Sequence, residues 1–183
     1  MKSIILTEPE IREAIEKMAE SIIKRHPREK DLVLVGILTG GAFLAARLKE
    51  ILFRMAGSLI PLGTLDITLY RDDWTKIGPA PVVRKTVLPL AIDDRTVILI
   101  DDVIFTGRTV RAAMDALMDY GRPKRIELAV LIDRGEACRE LPIMANYVGR
   151  ICDTGPSETI NVYLKEAGVS DCVTVEVGKA GQI

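Results

Sequence analysis

The sequence has few of the residues on which nucleophilic and metal-dependent catalysis usually depends. Its 183 residues include one histidine, His26, and three cysteines, which is an odd number. A single histidine leaves almost nothing for histidine-based proton transfer or metal binding. It precedes a proline, and we expect it to cap the end of a helix. Cys138, Cys152 and Cys172 lack metal-like spacing, so free thiols in a reducing cytoplasm are expected.

Long apolar runs and a large net charge are also absent. No window of about 20 residues is apolar enough to span a membrane, and the N-terminal segment MKSIILTEPE lacks the apolar core of a signal peptide. The formal net charge of −1 disfavours a protein whose whole surface binds nucleic acid, although a local basic patch stays open. We therefore expect a cytoplasmic protein that does not contact membranes.

Apolar residues make up 48% of the sequence, and their spacing alternates between strand and helix patterns. Leu32–Leu38 is a continuous, valine-rich apolar run, which is typical of a central parallel strand covered on both faces. Thr7 and Glu10 form a capping-box pattern, which predicts a helix over 8–25. Further helices are predicted over 44–55 and 109–120, and strands over 62–70, 97–100, 126–132, 146–148, 160–164 and 173–177.

This alternation predicts a doubly wound α/β fold with a mainly parallel sheet. No repeat, low-complexity tract or linker divides the chain, so we expect a single domain over 1–183. The segment of about 134–183, together with the N-terminal segment, is expected to form a small hood subdomain over the carboxyl edge of the sheet, where ligands bind in such folds. The polar segment 71–85 is expected to be a long loop of the kind that often forms a lid.

Two adjacent acidic residues, Asp101 and Asp102, directly follow the apolar run Val97–Ile100. We expect them at a strand end, where the chain curls into a loop and both carboxylates reach a crevice. Ionised carboxylates only accept hydrogen bonds, and so the pair can hold the two hydroxyls of a ribose. The same pair favours Mg²⁺, bound directly or through water.

A small, hydroxyl-rich turn, Thr106-Gly107-Arg108-Thr109, comes next and opens a predicted helix. Backbone N–H groups and the positive end of the helix dipole favour a phosphate at such a position. Gly107 lets the backbone approach that phosphate closely. The acidic pair and this turn follow a predicted buried strand in direct succession. Their order points to a phosphoribose ligand.

The stretch Val97–Thr109 resembles the 5-phosphoribosyl diphosphate motif of type I phosphoribosyltransferases. Over nearly the whole chain, the sequence also resembles the bifunctional pyrimidine operon regulator/uracil phosphoribosyltransferase (PyrR) family. The segments that carry this second resemblance are Asp66–Asp73, Thr109–Leu117, Gly121–Pro123, Asp133–Gly135 and Arg139–Ile143.

The resemblance implies a reaction in which uracil and 5-phosphoribosyl diphosphate give UMP and diphosphate. It places ribose at Asp101 and Asp102, and the 5′-phosphate at Thr106–Thr109. Further roles that the resemblance implies are a diphosphate-binding turn at Thr39, Gly40 and Gly41 with a non-proline cis peptide, a flexible loop beginning at Arg71, Asp72 and Asp73, and base or hood contacts from Phe105, Tyr147 and Val148. For Tyr147, packing in the core stays open as an alternative. A type I phosphoribosyltransferase-like fold, Mg²⁺ and a homodimer or homotetramer are also implied.

The sequence departs from the family at the diphosphate turn, where Gly40 stands in place of a usual arginine. Two alternatives to the uracil enzyme stay open. One is a UMP-responsive RNA-binding attenuation regulator with weak or no catalysis, whose basic patch would use Lys124, Arg125, Arg134, Arg139 and Arg150. The other is a purine-base transferase, which ranks last because Phe105 stands where purine enzymes usually carry an aspartate.

Overall fold

The computed structural model describes residues 2–27, 31–57, 59–72 and 83–177. Five parallel strands form the main sheet in the order β3-β2-β4-β5-β6, and three antiparallel strands form a second sheet in the order β1-β8-β7. The strands are β1 (Lys2–Thr7), β2 (Leu32–Ile37), β3 (Leu62–Leu65), β4 (Thr96–Ile104), β5 (Arg125–Asp133), β6 (Tyr147–Ile151), β7 (Glu158–Tyr163) and β8 (Cys172–Val177). This is the doubly wound, mainly parallel architecture that the alternating pattern predicts.

Helices cover both faces of the main sheet. α1 (Glu8–Arg25) and α2 (Gly40–Ala56) pack into one apolar cluster, and α3 (Arg108–Met118) packs into another on the opposite side. The predicted capping box is confirmed, because the Glu10 carboxylate accepts hydrogen bonds from the Thr7 backbone N–H at 2.8 Å and hydroxyl at 2.7 Å. His26 ends α1, as predicted, and its N–H donates to the Ile22 carbonyl at 2.9 Å.

The bounds of two strands, β3 and β4, differ from the predicted ones in ways that bear on the site. The strand predicted over 62–70 ends at Leu65, because the Asp66 carboxylate accepts hydrogen bonds from the Thr68 N–H at 2.8 Å and hydroxyl at 2.5 Å. These bonds turn the chain into a short 3-10 helix, as aspartate side chains do when they compete with a strand ladder. In contrast, β4 continues past Ile100 to Ile104.

The longer β4 corrects the expected position of the acidic pair. Asp101 and Asp102 lie within the strand rather than where it curls away, since Asp101 is paired with Val130 and Val103 with Ile132 on β5. A second correction concerns the tail after residue 133. β6 lies in this tail but extends the main sheet beside β5, while β7 and β8 join β1 in the second sheet.

In the described ranges, no helix combines the length and apolar character that crossing a membrane requires. Ten of the residues expected to form the long loop, 73–82, lie outside the described residues.

Candidate functional site

Two helix N-termini and the carboxyl end of β4 meet at one edge of the main sheet. β2 leads through the turn Thr39–Gly41 into α2, and β4 leads through residues 105–107 into α3. Because β2 and β4 are adjacent and parallel, their following turns lie side by side. The structure therefore brings the two predicted anion-binding turns to the same crevice, with the acidic pair between them.

Asp101 is buried, Asp102 is half-buried, and backbone N–H groups supply their hydrogen bonds. Asp101 is 6% exposed, and its Oδ1 accepts a hydrogen bond from the Asp102 N–H at 3.0 Å. Asp102 Oδ1 accepts one from the Val103 N–H at 2.8 Å. Burial raises the pKa of Asp101 well above its ordinary value, and the neighbouring Asp102 charge raises it further. Burial also raises the pKa of Asp102. Among the described residues, neither carboxylate forms a salt bridge with a basic side chain.

The turn Thr39–Gly41 lies directly against β4, and its glycines make this approach possible. A Cβ added at Gly41 would overlap the Ile100 carbonyl oxygen, and one added at Gly40 would overlap the Asp102 carboxylate. The peptide bond between Leu38 and Thr39 is cis, as the family resemblance implies. The turn therefore places backbone groups beside the acidic pair.

The second turn encloses a cavity of about 210 Å³, lined by residues 103–110 together with Arg71 and Asp72. Gly107 caps α3 with a φ of 91°, which a side chain rarely adopts. The Arg108 guanidinium is engaged elsewhere, since its Nε donates to Glu140 and its Nη1 to Asp72, both at 2.6 Å. Backbone N–H groups and the hydroxyls of Thr106 and Thr109 are what this turn presents to an anion.

A second cavity, of about 580 Å³, adjoins the first and contains the acidic pair. It shares Arg71, Val103 and Thr109 with the smaller cavity, so the two form one continuous crevice. The residues that line its remaining wall are Ile37, Leu38, Thr39, Gly40, Asp66, Ile67, Thr68, Arg84, Asp101 and Asp102. Arg71, predicted from the loop, therefore reaches the site, and Asp72 reaches the smaller cavity. Asp73 lies outside the described residues.

Two arginines that support the phosphate turn were not predicted as site residues. The Arg134 guanidinium stacks on the Phe105 ring, with 3.7 Å between Cζ and the ring centroid. It also donates hydrogen bonds to Thr154 and to the carbonyls of Gly155 and Glu158 at 2.7–2.9 Å. The Arg139 Nη1 donates to the Phe105 carbonyl at 2.6 Å. These contacts fix Phe105 at the entrance to the turn.

The structure does not bring Tyr147 to this crevice. Its side chain is 3% exposed and packs in the α1–α2 cluster, and its hydroxyl donates to Glu127 at 2.5 Å. Adjacent strand residues point to opposite faces, so Val148 lies on the other side of the sheet. There Val148 lines a separate cavity of about 930 Å³ with Leu141 and Ile143. The base-contacting position predicted for Tyr147 is thus corrected to a core position.

The acidic pair fits a divalent cation that takes few ligands from the protein. Within the described part of the chain, no group of three or more His, Cys, Asp or Glu side chains is placed to enclose a metal. Mg²⁺ characteristically binds one or two carboxylates, keeps several waters and uses substrate phosphates as further ligands. Asp101, which is buried, and Asp102, which is half-buried, form no salt bridge with another described residue and match that donor set.

The chain is similar to known proteins over nearly its whole length. Residues 1–164 match a family model described as a phosphoribosyl transferase domain. The chain is 50% identical over 173 residues to the bifunctional protein PyrR of Syntrophobacter fumaroxidans, with 94% of this chain and 92% of the relative covered. It is 49% identical over 176 residues to the bifunctional protein PyrR of Bacillus pumilus, with 95% of this chain and 97% of the relative covered.

The structure also resembles solved structures. The hypoxanthine phosphoribosyltransferase of Trypanosoma cruzi superposes with a TM-score of 0.70 over 97% of each chain, at 21% identity. A hypoxanthine-guanine phosphoribosyltransferase of Bacillus anthracis superposes with a TM-score of 0.68 at 20% identity, over 93% of this chain and 95% of the other. At these identities the likeness shows a shared type I phosphoribosyltransferase fold.

Proposed function

Because this chain belongs to the phosphoribosyl transferase family, and within it to the bifunctional PyrR proteins, we propose that its crevice transfers phosphoribose from 5-phosphoribosyl diphosphate to uracil. Membership confirms the family resemblance that the motif segments carry. In the reaction, a bond forms between uracil N1 and C1′ of the ribose, the bond from C1′ to the diphosphate oxygen breaks, and uracil gives up its N1 proton. UMP and diphosphate are the products.

One observation carries this proposal: the acidic pair, with Asp101 buried and Asp102 half-buried, lies between two N-terminal turns in a single crevice. The 5′-phosphate binds the Thr106–Thr109 turn, where the first N–H groups of α3 have no partner within the helix itself. The ribose hydroxyls donate to Asp101 and Asp102, and the diphosphate binds at Thr39–Gly41. The order of phosphate, diol and diphosphate along 5-phosphoribosyl diphosphate is the same as the order of these three groups along the crevice.

Mg²⁺ is the cofactor that we assign to this site. Asp101 and Asp102 would hold it, directly or through water, beside the diphosphate. When bound, Mg²⁺ neutralises part of the charge on the departing diphosphate. The raised pKa values of both aspartates support this assignment, because a nearby cation stabilises the ionised carboxylates that burial disfavours.

Phe105 supports a pyrimidine rather than a purine base. An aromatic ring cannot exchange a proton with a base, but it offers an apolar face for packing. Arg134 and Arg139 hold that ring and its backbone in place. The lid role of the loop that starts at Arg71, and assembly into a homodimer or homotetramer, stay predictions from the family.

Turnover with labelled substrates tests this function. Purified protein with labelled uracil, 5-phosphoribosyl diphosphate and Mg²⁺ should produce UMP, whereas hypoxanthine and orotate in parallel reactions should not react appreciably. Asp102→Asn, which replaces one carboxylate of the acidic pair, is the negative control for UMP formation. The uracil assignment would fail if UMP stayed at background while another base reacted, and the enzyme assignment would fail if none of the three bases reacted.

A second function, binding of pyrimidine-operon leader RNA in response to UMP, is supported by the name "bifunctional" of the relatives. The structure corrects the basic patch expected for it. Arg134 is buried, and Arg139 pairs with Asp133 at 2.6 Å. Lys124, Arg125 and Arg150 are exposed, but Arg125 pairs with Glu127 at 3.4 Å and Arg150 with Glu10 at 3.5 Å. Binding to such RNA should strengthen with UMP and weaken with salt. No binding at low salt would exclude this function.

A further inference from the structure

We propose that Arg84 binds the diphosphate of 5-phosphoribosyl diphosphate and thereby supplies the guanidinium that the turn Thr39–Gly41 lacks. This inference rests on the proposed function of the same crevice. It assigns a diphosphate-binding residue to a part of the chain, after the long loop, where no motif points to one.

The position of Arg84 is determined by three sets of contacts. Its guanidinium Nη1 donates to the hydroxyl of Thr39, in the diphosphate turn itself. Its backbone N–H donates to the Asp66 carboxylate. The residues that follow are held along β3, because the backbones of Thr64 and Val87 exchange hydrogen bonds of 2.8 and 2.9 Å. Together these contacts hold the guanidinium at the wall of the crevice.

The charge of Arg84 is available for an anion. Within the described residues, its guanidinium donates to a neutral hydroxyl and forms no salt bridge, although its charge helps to lower the pKa of the nearby Asp66 carboxyl. Arg108 differs, since two carboxylates already engage its guanidinium. A guanidinium presents several donors in a rigid fork, and this geometry suits phosphate oxygens.

The space around Gly40 disfavours a side chain at that position while the Asp102 carboxylate keeps its place. A Cβ at residue 40 would overlap the Asp102 carboxylate, so in this structure an arginine cannot extend from the turn without displacing that carboxylate. Arg84 lies on the segment that runs beside β3, on the opposite side of the crevice from β4. From there it reaches Thr39 while Asp102 keeps its place.

Isothermal titration with inorganic diphosphate and Mg²⁺ tests the proposal directly. Arg84→Ala should weaken diphosphate binding by about tenfold or more, the loss of one charge-assisted contact. Arg84→Lys should retain part of the affinity, because it keeps the charge but not the fork. Lys85→Ala is the matched control, since Lys85 is the adjacent exposed cation and does not line the crevice; its affinity should equal that of the unchanged protein.

A second ligand separates a local role from a structural one. UMP carries the 5′-phosphate but no diphosphate, so Arg84→Ala should leave UMP affinity unchanged within about twofold. In turnover, the KM for 5-phosphoribosyl diphosphate should rise while the KM for uracil stays constant. Equal diphosphate affinity in Arg84→Ala and Lys85→Ala would overturn the proposal, as would a parallel loss of UMP binding. If uracil is not converted but Arg84→Ala still weakens diphosphate binding, the base assignment fails and the role of Arg84 stands.

Discussion

Glu127 on β5 and Asp101 on the neighbouring strand β4 are buried carboxylates, and Asp102 beside Asp101 is half-buried. The surroundings of Glu127 differ from those of the acidic pair. Glu127 Oε2 accepts a hydrogen bond from the Tyr147 hydroxyl at 2.5 Å and lies 2.8 Å from His26 Nε2, while Oε1 lies 3.1 Å from Arg25. The acidic pair accepts its hydrogen bonds from backbone N–H groups of Asp102 and Val103.

The pKa values follow from this difference. Burial acts to raise the pKa of Glu127, but the bonds from Tyr147 and His26 and the charge of Arg25 outweigh it, and the pKa is lowered. For Asp101 the burial penalty and the charge of Asp102 both act upward. Protein groups thus stabilise the charge of Glu127, whereas a ligand or cation has to stabilise the charge of the pair. A buried acid with a raised pKa in a crevice is typical of a functional site.

The largest effect is expected for Asp102→Asn. The amide is nearly isosteric but loses the charge and part of the acceptor capacity that ribose and Mg²⁺ require. UMP formation should fall by about 100-fold or more, the usual loss for a pre-organised group in an active site. Circular dichroism and the thermal midpoint should show that the variant stays folded. Full activity in Asp102→Asn would contradict the role of the pair.

Glu127→Ala should affect stability rather than catalysis. The change removes the acceptor that the buried Tyr147 hydroxyl uses, and it removes the charge that faces His26 and Arg25. A loss of about 1–3 kcal/mol in the free energy of unfolding is expected for such unsatisfied groups. Urea unfolding measures it, with the KM for uracil as the control. A variant that was as stable as the unchanged protein but inactive would contradict this structural role of Glu127.

Asp101→Asn should stabilise the protein in the absence of ligand. Because the folded pKa of Asp101 is raised, its favourable contribution is complete below the ordinary value of 3.8 and is lost as the pH rises through the folded pKa. At pH 7 the asparagine removes this penalty, and the thermal midpoint should rise by a few degrees, on the order of 1 kcal/mol. An equal or lower midpoint at pH 7 would show that the pair is already neutralised in the free protein.

The smallest effect is the acid dependence of Glu127. Its folded pKa is lowered, so its contribution is present above the ordinary value of 4.5 and is lost as the pH falls through the folded pKa. Glu127→Gln should therefore flatten the decline in stability that accompanies acidification below about pH 4.5. Thermal midpoints measured from pH 3 to 7 would reveal this, and an unchanged slope would mean that other carboxylates dominate acid unfolding.

Local signals in the sequence predict much of the fold and part of the site. The capping box at Thr7, the apolar run of β2 and the glycine turns are local, so their positions follow from neighbouring residues. The end of β3 was missed because Asp66 turns the chain through a side-chain bond that alternating hydrophobicity conceals. The end of β4 was missed because pairing with β5 extends the strand through two charged residues.

Residues far apart in sequence account for the rest of the site. Nothing near Phe105 indicates that Arg134 stacks on its ring, and nothing near Thr39 indicates that Arg84, 45 residues later, donates to its hydroxyl. Tyr147 was misplaced for a related reason. Its position in β6 directs its side chain to the core side of the sheet, where it bonds to Glu127. That direction depends on the register of β6 against β5.

The sequence by itself determined the family, the doubly wound fold and the positions of the two glycine-containing turns, because each depends on local motifs and spacings along the chain. The tertiary structure alone decided which charges are stabilised by the protein. It encloses Glu127 among His26, Tyr147 and Arg25, and it leaves the buried Asp101 and the half-buried Asp102 without a salt bridge to any described residue. The physical reason is that burial and ion pairing depend on which strands and helices pack together. This packing cannot be read from the order of residues along the chain.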